Sequence, residues 1–188
     1  MNEKTFFLKG KKEEPISSLE FYKILGVINR LHYITSLISD ETDGIKNPDV
    51  LKKISDRIKL NKEKNRDVNL IGYRPFGYIT YPKFDEKLMI NKIKKESPLF
   101  IEFFSTVVST TALIIEIIKL IKEYKNKPYS YEAKKKNNEE INGSLEKLII
   151  SKKNSNEQKE VLIELIKSLV QIIEDIIKND DIDLDDKE

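Results

Sequence analysis

Two stretches of the chain combine apolar side chains with a polar stripe at helical spacing. In residues 97–124 and again in 155–178, polar or small residues recur at steps of four and three, and apolar residues fill the remaining positions. A stripe with this period is typical of a helix that is buried on most sides and exposed to solvent along one side. Both stretches therefore predict long core helices, and Ser155 with Gln158 forms the pattern of a capping box at the start of the second.

The N-terminal third predicts two further helices. A long apolar helix begins after Ser17 or Ser18, either of which can cap it, and Gly44 lies just past its end. The next helix has Asn47 as its cap and Pro48 at the first helical position, where the missing amide donor costs nothing.

The sequence patterns that predict strands are weaker than those that predict helices. Residues 4–9 predict a short edge strand, and residues 87–104 predict a hairpin. The start of the apolar stretch, residues 98–104, fits either the second strand of this hairpin or the first turns of the following helix. The expected fold class is α+β and helix-dominated: two long apolar helices and a capped C-terminal helix beside a small antiparallel β element.

The polar segments complete the expected organisation. Residues 125–155 are rich in Lys, Asn and Glu and predict a polar mobile loop, with a short helix or strand at Leu145–Ile150 as an alternative within it. Residues 179–188 predict an acidic disordered tail, because two apolar side chains there offer little surface to offset the chain entropy. We expect residues 1–178 to form a single domain.

The apolar stretch also raises the question of a membrane span. A spanning helix needs about 20 consecutive apolar residues. The longest uncharged run here, residues 103–115, is shorter and is flanked by Glu102 and Glu116. A buried core helix is the favoured interpretation, and a membrane-associated effector that inserts residues 99–121 is the alternative.

Charge is distributed unevenly although the net charge is only +2. Residues 1–136 carry 27 Lys and Arg against 18 Asp and Glu, whereas residues 137–188 carry 7 against 14. This asymmetry suggests a basic surface that the acidic C-terminal part can shield. The chain has no cysteine, which excludes disulfide frameworks and thiolate chemistry and fits a cytoplasmic protein.

The sequence contains little that indicates a catalytic site or a cofactor. The single histidine, His32, lies among apolar residues of the first helix, and we expect it to be a hydrogen-bonded buried residue. No spacing of carboxylates, histidines or glycines matches a metal, phosphate or nucleophile motif. We therefore expect no catalytic residues, no metal and no cofactor.

Two clusters are candidate binding sites. An aromatic segment rich in Gly and Pro can anchor a partner or, alternatively, fold onto the core; its candidate contacts are Tyr73, Arg74, Phe76, Tyr78, Tyr81 and Phe84. The second helix carries a basic face with candidate polyanion contacts at Lys52, Lys53, Arg57, Lys59, Lys62 and Lys64. Only four of the 34 cationic side chains are Arg, which weakens specific recognition of phosphate and bases.

These features predict a non-enzymatic interaction protein. We expect a bacterial or phage accessory protein whose partner is another protein, bound through helical faces. A homo-oligomer through the helix at 156–178 is a further hypothesis. Lys-rich nucleic-acid binding is the second alternative, after membrane association.

Overall fold

The computed structural model describes residues 5–10, 17–39, 44–63, 88–94, 100–125, 127, 131–178 and 182–185. These residues form five helices and one small antiparallel sheet, so the helix-dominated α+β class is confirmed. In chain order the elements are β1 (Phe6–Gly10), α1 (Ser18–Ile38), α2 (Pro48–Glu63), β2 (Leu88–Lys94), β3 (Phe100–Ser105), α3 (Val108–Lys125), α4 (Tyr131–Ile149), α5 (Asn156–Ile177) and β4 (Ile182–Asp185).

The sheet has the strand order β2-β3-β1-β4, and each neighbouring pair is antiparallel. The predicted hairpin is confirmed, because β2 pairs with β3. Phe6 of β1 lies opposite Phe103 of β3, and their rings stack with centroids 5.5 Å apart. Both rings are fully buried, so this contact anchors the sheet in the core.

The apolar stretch that raised the membrane question is split between two elements. Its first part forms β3 and its second part forms α3, which packs against the sheet. Ile114, Ile117 and Ile118 of α3 are fully buried. Glu116 is exposed on the opposite side, together with Lys119 and Glu123, as the polar stripe predicts.

Helix α5 is the centre of the helical layer, since it packs against each of the other four helices. The predicted capping box is present: Ser155 Oγ accepts from the Gln158 amide at 3.1 Å, and Gln158 Oε1 accepts from the Ser155 amide at 2.9 Å. The apolar seam of α5 is covered inside the chain. An oligomer through this helix would have to use its exposed side.

The turn between α1 and α2 depends on a glycine. The Ile45 amide donates to the Leu37 carbonyl at 3.0 Å, which brings the turn back onto the end of α1. A Cβ atom on Gly44 would overlap the Leu37 carbonyl group, so only glycine fits there. Asn47 caps α2 as predicted, with its Oδ1 accepting from the Asp49 amide at 3.0 Å.

The prediction of a mobile loop at 125–155 is wrong for most of that segment, because residues 131–149 form α4. The segment contains Ala, Glu and Lys, which favour helices, and two of its apolar residues stand four apart. These residues, Ile141 and Leu145, are almost fully buried where α4 packs on α5. Ile149 of the same helix is partly buried against the core as well, so a largely polar helix is held by a few apolar side chains beside a long apolar one.

The prediction for β1 is also wrong, as is the prediction of disorder for residues 182–185. Strand β1 is not an edge strand, because β4 pairs along its other side. For the same reason, residues 182–185 of the expected disordered tail are ordered as a strand. Backbone pairing with β1 and ion pairs with residues distant in sequence hold this strand in addition to its apolar side chain.

Candidate functional site: the strand site on β1 and α3

The most distinctive arrangement of polar groups surrounds β4. We define the strand site as the edge of β1 that pairs with β4, together with Lys122 and Lys125 of α3. Strand β4 pairs antiparallel with β1 in a regular register: Phe7 opposite Asp185, Leu8 opposite Leu184, Lys9 opposite Asp183 and Gly10 opposite Ile182. Because successive side chains of a strand point to opposite faces, Asp183 and Asp185 share one face and Leu184 points to the other.

Leu184 anchors the strand in the core. Its side chain is 3% exposed and lies opposite the fully buried Leu8. Burying one leucine contributes about 1.5–3 kcal/mol. Among the β4 side chains that the structure describes, Leu184 supplies the apolar contribution to docking.

Three ion pairs hold the opposite face of β4. Asp185 pairs with Lys9 at 3.1 Å and with Lys122 at 2.5 Å, and Asp183 pairs with Lys125 at 2.8 Å. The lysines belong to β1 and α3, so the two aspartates connect the sheet edge to the helix. Only the Lys125 side chain is well covered, at 12% exposed, whereas the other partners are between 27% and 44% exposed. Pairs of this kind contribute up to about 1 kcal/mol each and weaken with salt.

The C-terminal end of α3, which carries two of these lysines, is fixed by a second polar cluster. The Tyr124 hydroxyl donates to Glu140 Oε2 of α4 at 3.1 Å, and Lys127 Nζ donates to the same oxygen at 3.3 Å. Lys127 Nζ also lies 3.7 Å from the centre of the Tyr124 ring. These contacts attach α4 to the helix that presents Lys122 and Lys125.

The same cluster shifts the pKa values of its members, among them Glu140 and Tyr124. Hydrogen bonds from Lys127 and Tyr124 lower the pKa of Glu140 below its ordinary value of 4.5. Burial and the hydrogen bond to Glu140 raise the pKa of Tyr124 above 10.0. At neutral pH the carboxylate is thus charged and the phenol is protonated, which is the pairing that the hydrogen bond needs.

His32 forms a separate buried contact. Its Nε2 lies 3.2 Å from Ser105 Oγ, which also accepts from the Val107 amide at 3.2 Å. Both side chains are more than nine-tenths buried, at 8% and 5% exposed. The pair therefore connects α1 to the end of β3 and does not face solvent, and the prediction of a hydrogen-bonded buried histidine is confirmed.

The basic face predicted on α2 has mixed charge. Lys52, Lys53 and Lys59 are exposed, and Arg57 is half-buried. Asp56 stands four residues after Lys52 and three before Lys59, which places opposite charges side by side on the helix. The Lys62 side chain and Lys64 lie outside the described residues. The cations that can be located are thus partly compensated by acids of the same helix.

The aromatic candidates lie outside the described residues, and their role stays a prediction. They are Tyr73, Arg74, Phe76, Tyr78, Tyr81 and Phe84.

Sequence reasoning missed the residues that form the strand site. One signal was available, since Ile182–Asp185 alternates apolar and acidic residues as a half-buried strand does. The charge asymmetry also indicated that the acidic end meets a basic surface. The lysines involved belong to β1 and α3 and not to α2.

Comparison with protein-family models, with curated proteins and with solved structures gave no match. Within the described ranges, no helix combines the length and the apolar character needed to cross a membrane.

Proposed function

We propose that the chain is a non-enzymatic protein-binding module that takes up an extended segment of a partner protein at the strand site. In this proposal the partner segment adds to the edge of β1 as β4 does. Backbone hydrogen bonds supply affinity in this mode of recognition, and alternate side chains supply specificity. The observation that carries the proposal is the docking of β4, whose described side chains contribute one buried leucine and ion pairs to Lys9, Lys122 and Lys125.

The site favours a partner segment of defined chemistry. Lys9, Lys122 and Lys125 fit acidic residues two positions apart in the partner strand, and the buried environment of Leu184 fits an apolar residue between them. The chain's own β4 has this pattern and competes for the site, since a tethered ligand has a high effective concentration. We place this activity in the cytoplasm as part of the proposal.

Competition with β4 gives a direct test. The probe is a fluorescein-labelled peptide with the sequence of residues 180–188, and its binding is measured by fluorescence anisotropy. Full-length protein carrying Leu184→Ala should bind the peptide more tightly than the wild type, because its own strand competes less well. A loss of about 2 kcal/mol in β4 docking predicts up to about a 30-fold lower apparent Kd.

Two controls separate strand capture from general attraction between charges. A peptide with Asp in place of its leucine keeps the acidic residues and should bind at least about tenfold more weakly, because its apolar anchor is missing. The double variant Lys122→Glu, Lys125→Glu should lose binding of the original peptide. Equal binding of both peptides, or no binding to the Leu184→Ala protein, would contradict the proposal.

A further inference from the structure

The main described contacts of β4 are with one strand and one helix. It packs against β1 and α3, whereas α5 packs against the other four helices. Three residues, 179–181, separate β4 from Lys178, which caps α5. The strand is therefore a short element that follows the main helical layer, and its described side chains contribute one buried leucine to the core.

We propose that the strand site takes up β4 of a second copy of this chain, so that two copies exchange their C-terminal strands reciprocally. This inference rests on the proposed function, because the strand site must first accept a strand that is not its own. Each β1 edge would then pair with the partner copy's residues 182–185, and a two-fold axis would relate the two exchanged strands.

Complementarity between site and strand is the argument for this occupant. Residues 182–185 fit the β1 register, bury a leucine opposite Leu8 and pair both aspartates with lysines. A second copy carries the identical strand, so exchange forms the same contacts and costs only association and any change in the connection.

Concentration decides how much of the exchanged form is present. A short tether gives the chain's own strand an effective concentration of the order of millimolar. Exchange is then a minor population at micromolar protein and increases with concentration. Salt weakens the three ion pairs and so speeds the release of β4 that must precede exchange.

Cysteine pairs introduced across the β1–β4 register can detect this population, since the natural chain contains no cysteine. Lys9 and Asp183 lie directly opposite each other. One chain carries Lys9→Cys and a second, differently tagged chain carries Asp183→Cys. Both are mixed at about 0.2 mM, within tenfold of the effective concentration, and oxidised with diamide. Non-reducing gel electrophoresis then separates the disulfide-linked products.

Strand exchange predicts that the mixed product, with its disulfide between positions 9 and 183, forms at least about tenfold faster than the product from a control pair. The control replaces Asp183→Cys with Glu160→Cys, an exposed position on α5. Placing Lys9→Cys and Asp183→Cys in one chain should give a disulfide within that chain, which shows that the register permits the bond.

The outcomes distinguish the two proposals. Mixed product no more abundant than the control, when the double variant does form its internal disulfide, overturns strand exchange. If the labelled peptide still binds the Leu184→Ala protein, the strand site remains a binding site for another protein. If peptide binding is absent as well, the proposed function fails together with strand exchange.

Discussion

Replacing Leu184 by alanine tests whether β4 is a detachable element. Leu184 is 3% exposed, and leucine-to-alanine changes in a close-packed core cost about 2–5 kcal/mol. A strand that can leave its site limits that loss, since the variant cannot lose more than the whole docking free energy of the strand. We therefore expect a loss of about 2 kcal/mol, at the lower end of the range.

Leu169→Ala is the matched control for this substitution. Leu169 is fully buried in α5, the helix that packs against all the others. No local release can relieve a cavity at that position, because the surrounding helices cannot separate without global unfolding. We expect a loss of about 3–5 kcal/mol there.

Urea unfolding gives both free energies, and amide hydrogen exchange locates the change. In the Leu184→Ala protein the β1 amides that face β4 should exchange faster, while those in the middle of α5 keep their wild-type rates. A loss as large as that of Leu169→Ala, with faster exchange throughout the chain, would refute the reasoning. Strand β4 would then be an integral part of the core.

Further predictions concern local features of the fold. Gly44→Ala should destabilise the protein, because its Cβ would collide with the Leu37 carbonyl, whereas Gly26→Ala, with nothing within 4 Å of its Cβ in α1, should stabilise it by about 0.5–1 kcal/mol in urea unfolding. Ser155→Ala removes the cap of α5 and should cost about 1 kcal/mol in the same assay. The folded-state pKa of Glu140 is lowered, so its stabilisation is complete above 4.5 and is lost as the pH falls through the folded value. Glu140→Gln should accordingly make stability less sensitive to acid between about pH 5 and pH 3 than in the wild type, as followed by urea midpoints.

The fold was most predictable from the sequence where a helix contains the whole pattern of polar and apolar residues that identifies it. The polar stripes of α3 and α5 identify both helices, because exposed positions recur every three or four residues along a helix with one solvent-facing side. The capping box of α5 was equally readable, because the hydrogen bonds of Ser155 and Gln158 form within one turn. These signals are local and need no knowledge of the neighbours.

The wrong predictions concern elements that depend on other parts of the chain. Helix α4 has few apolar residues of its own and depends on the surface that α5 offers. Strand β4 depends on partners far away in sequence: Lys9 and Asp185 are 176 residues apart. No window of sequence contains both members of such a pair. The charge asymmetry showed that an acidic end and a basic surface exist, but only the fold shows which lysines and aspartates meet.

The order of the strands in the sheet means that the two neighbours of β1 are synthesised at different times. Strand β1 is synthesised before β3, and its second neighbour, β4, follows only after α3, α4 and α5. The roughly 80 residues between β3 and β4 take about 4–16 s to synthesise at 5–20 residues per second. During that interval β1 lacks the strand that covers its second edge in the finished protein. Each nascent chain thus passes through a period of seconds in which another strand, including one from a completed copy, has access to the edge before its own β4 exists.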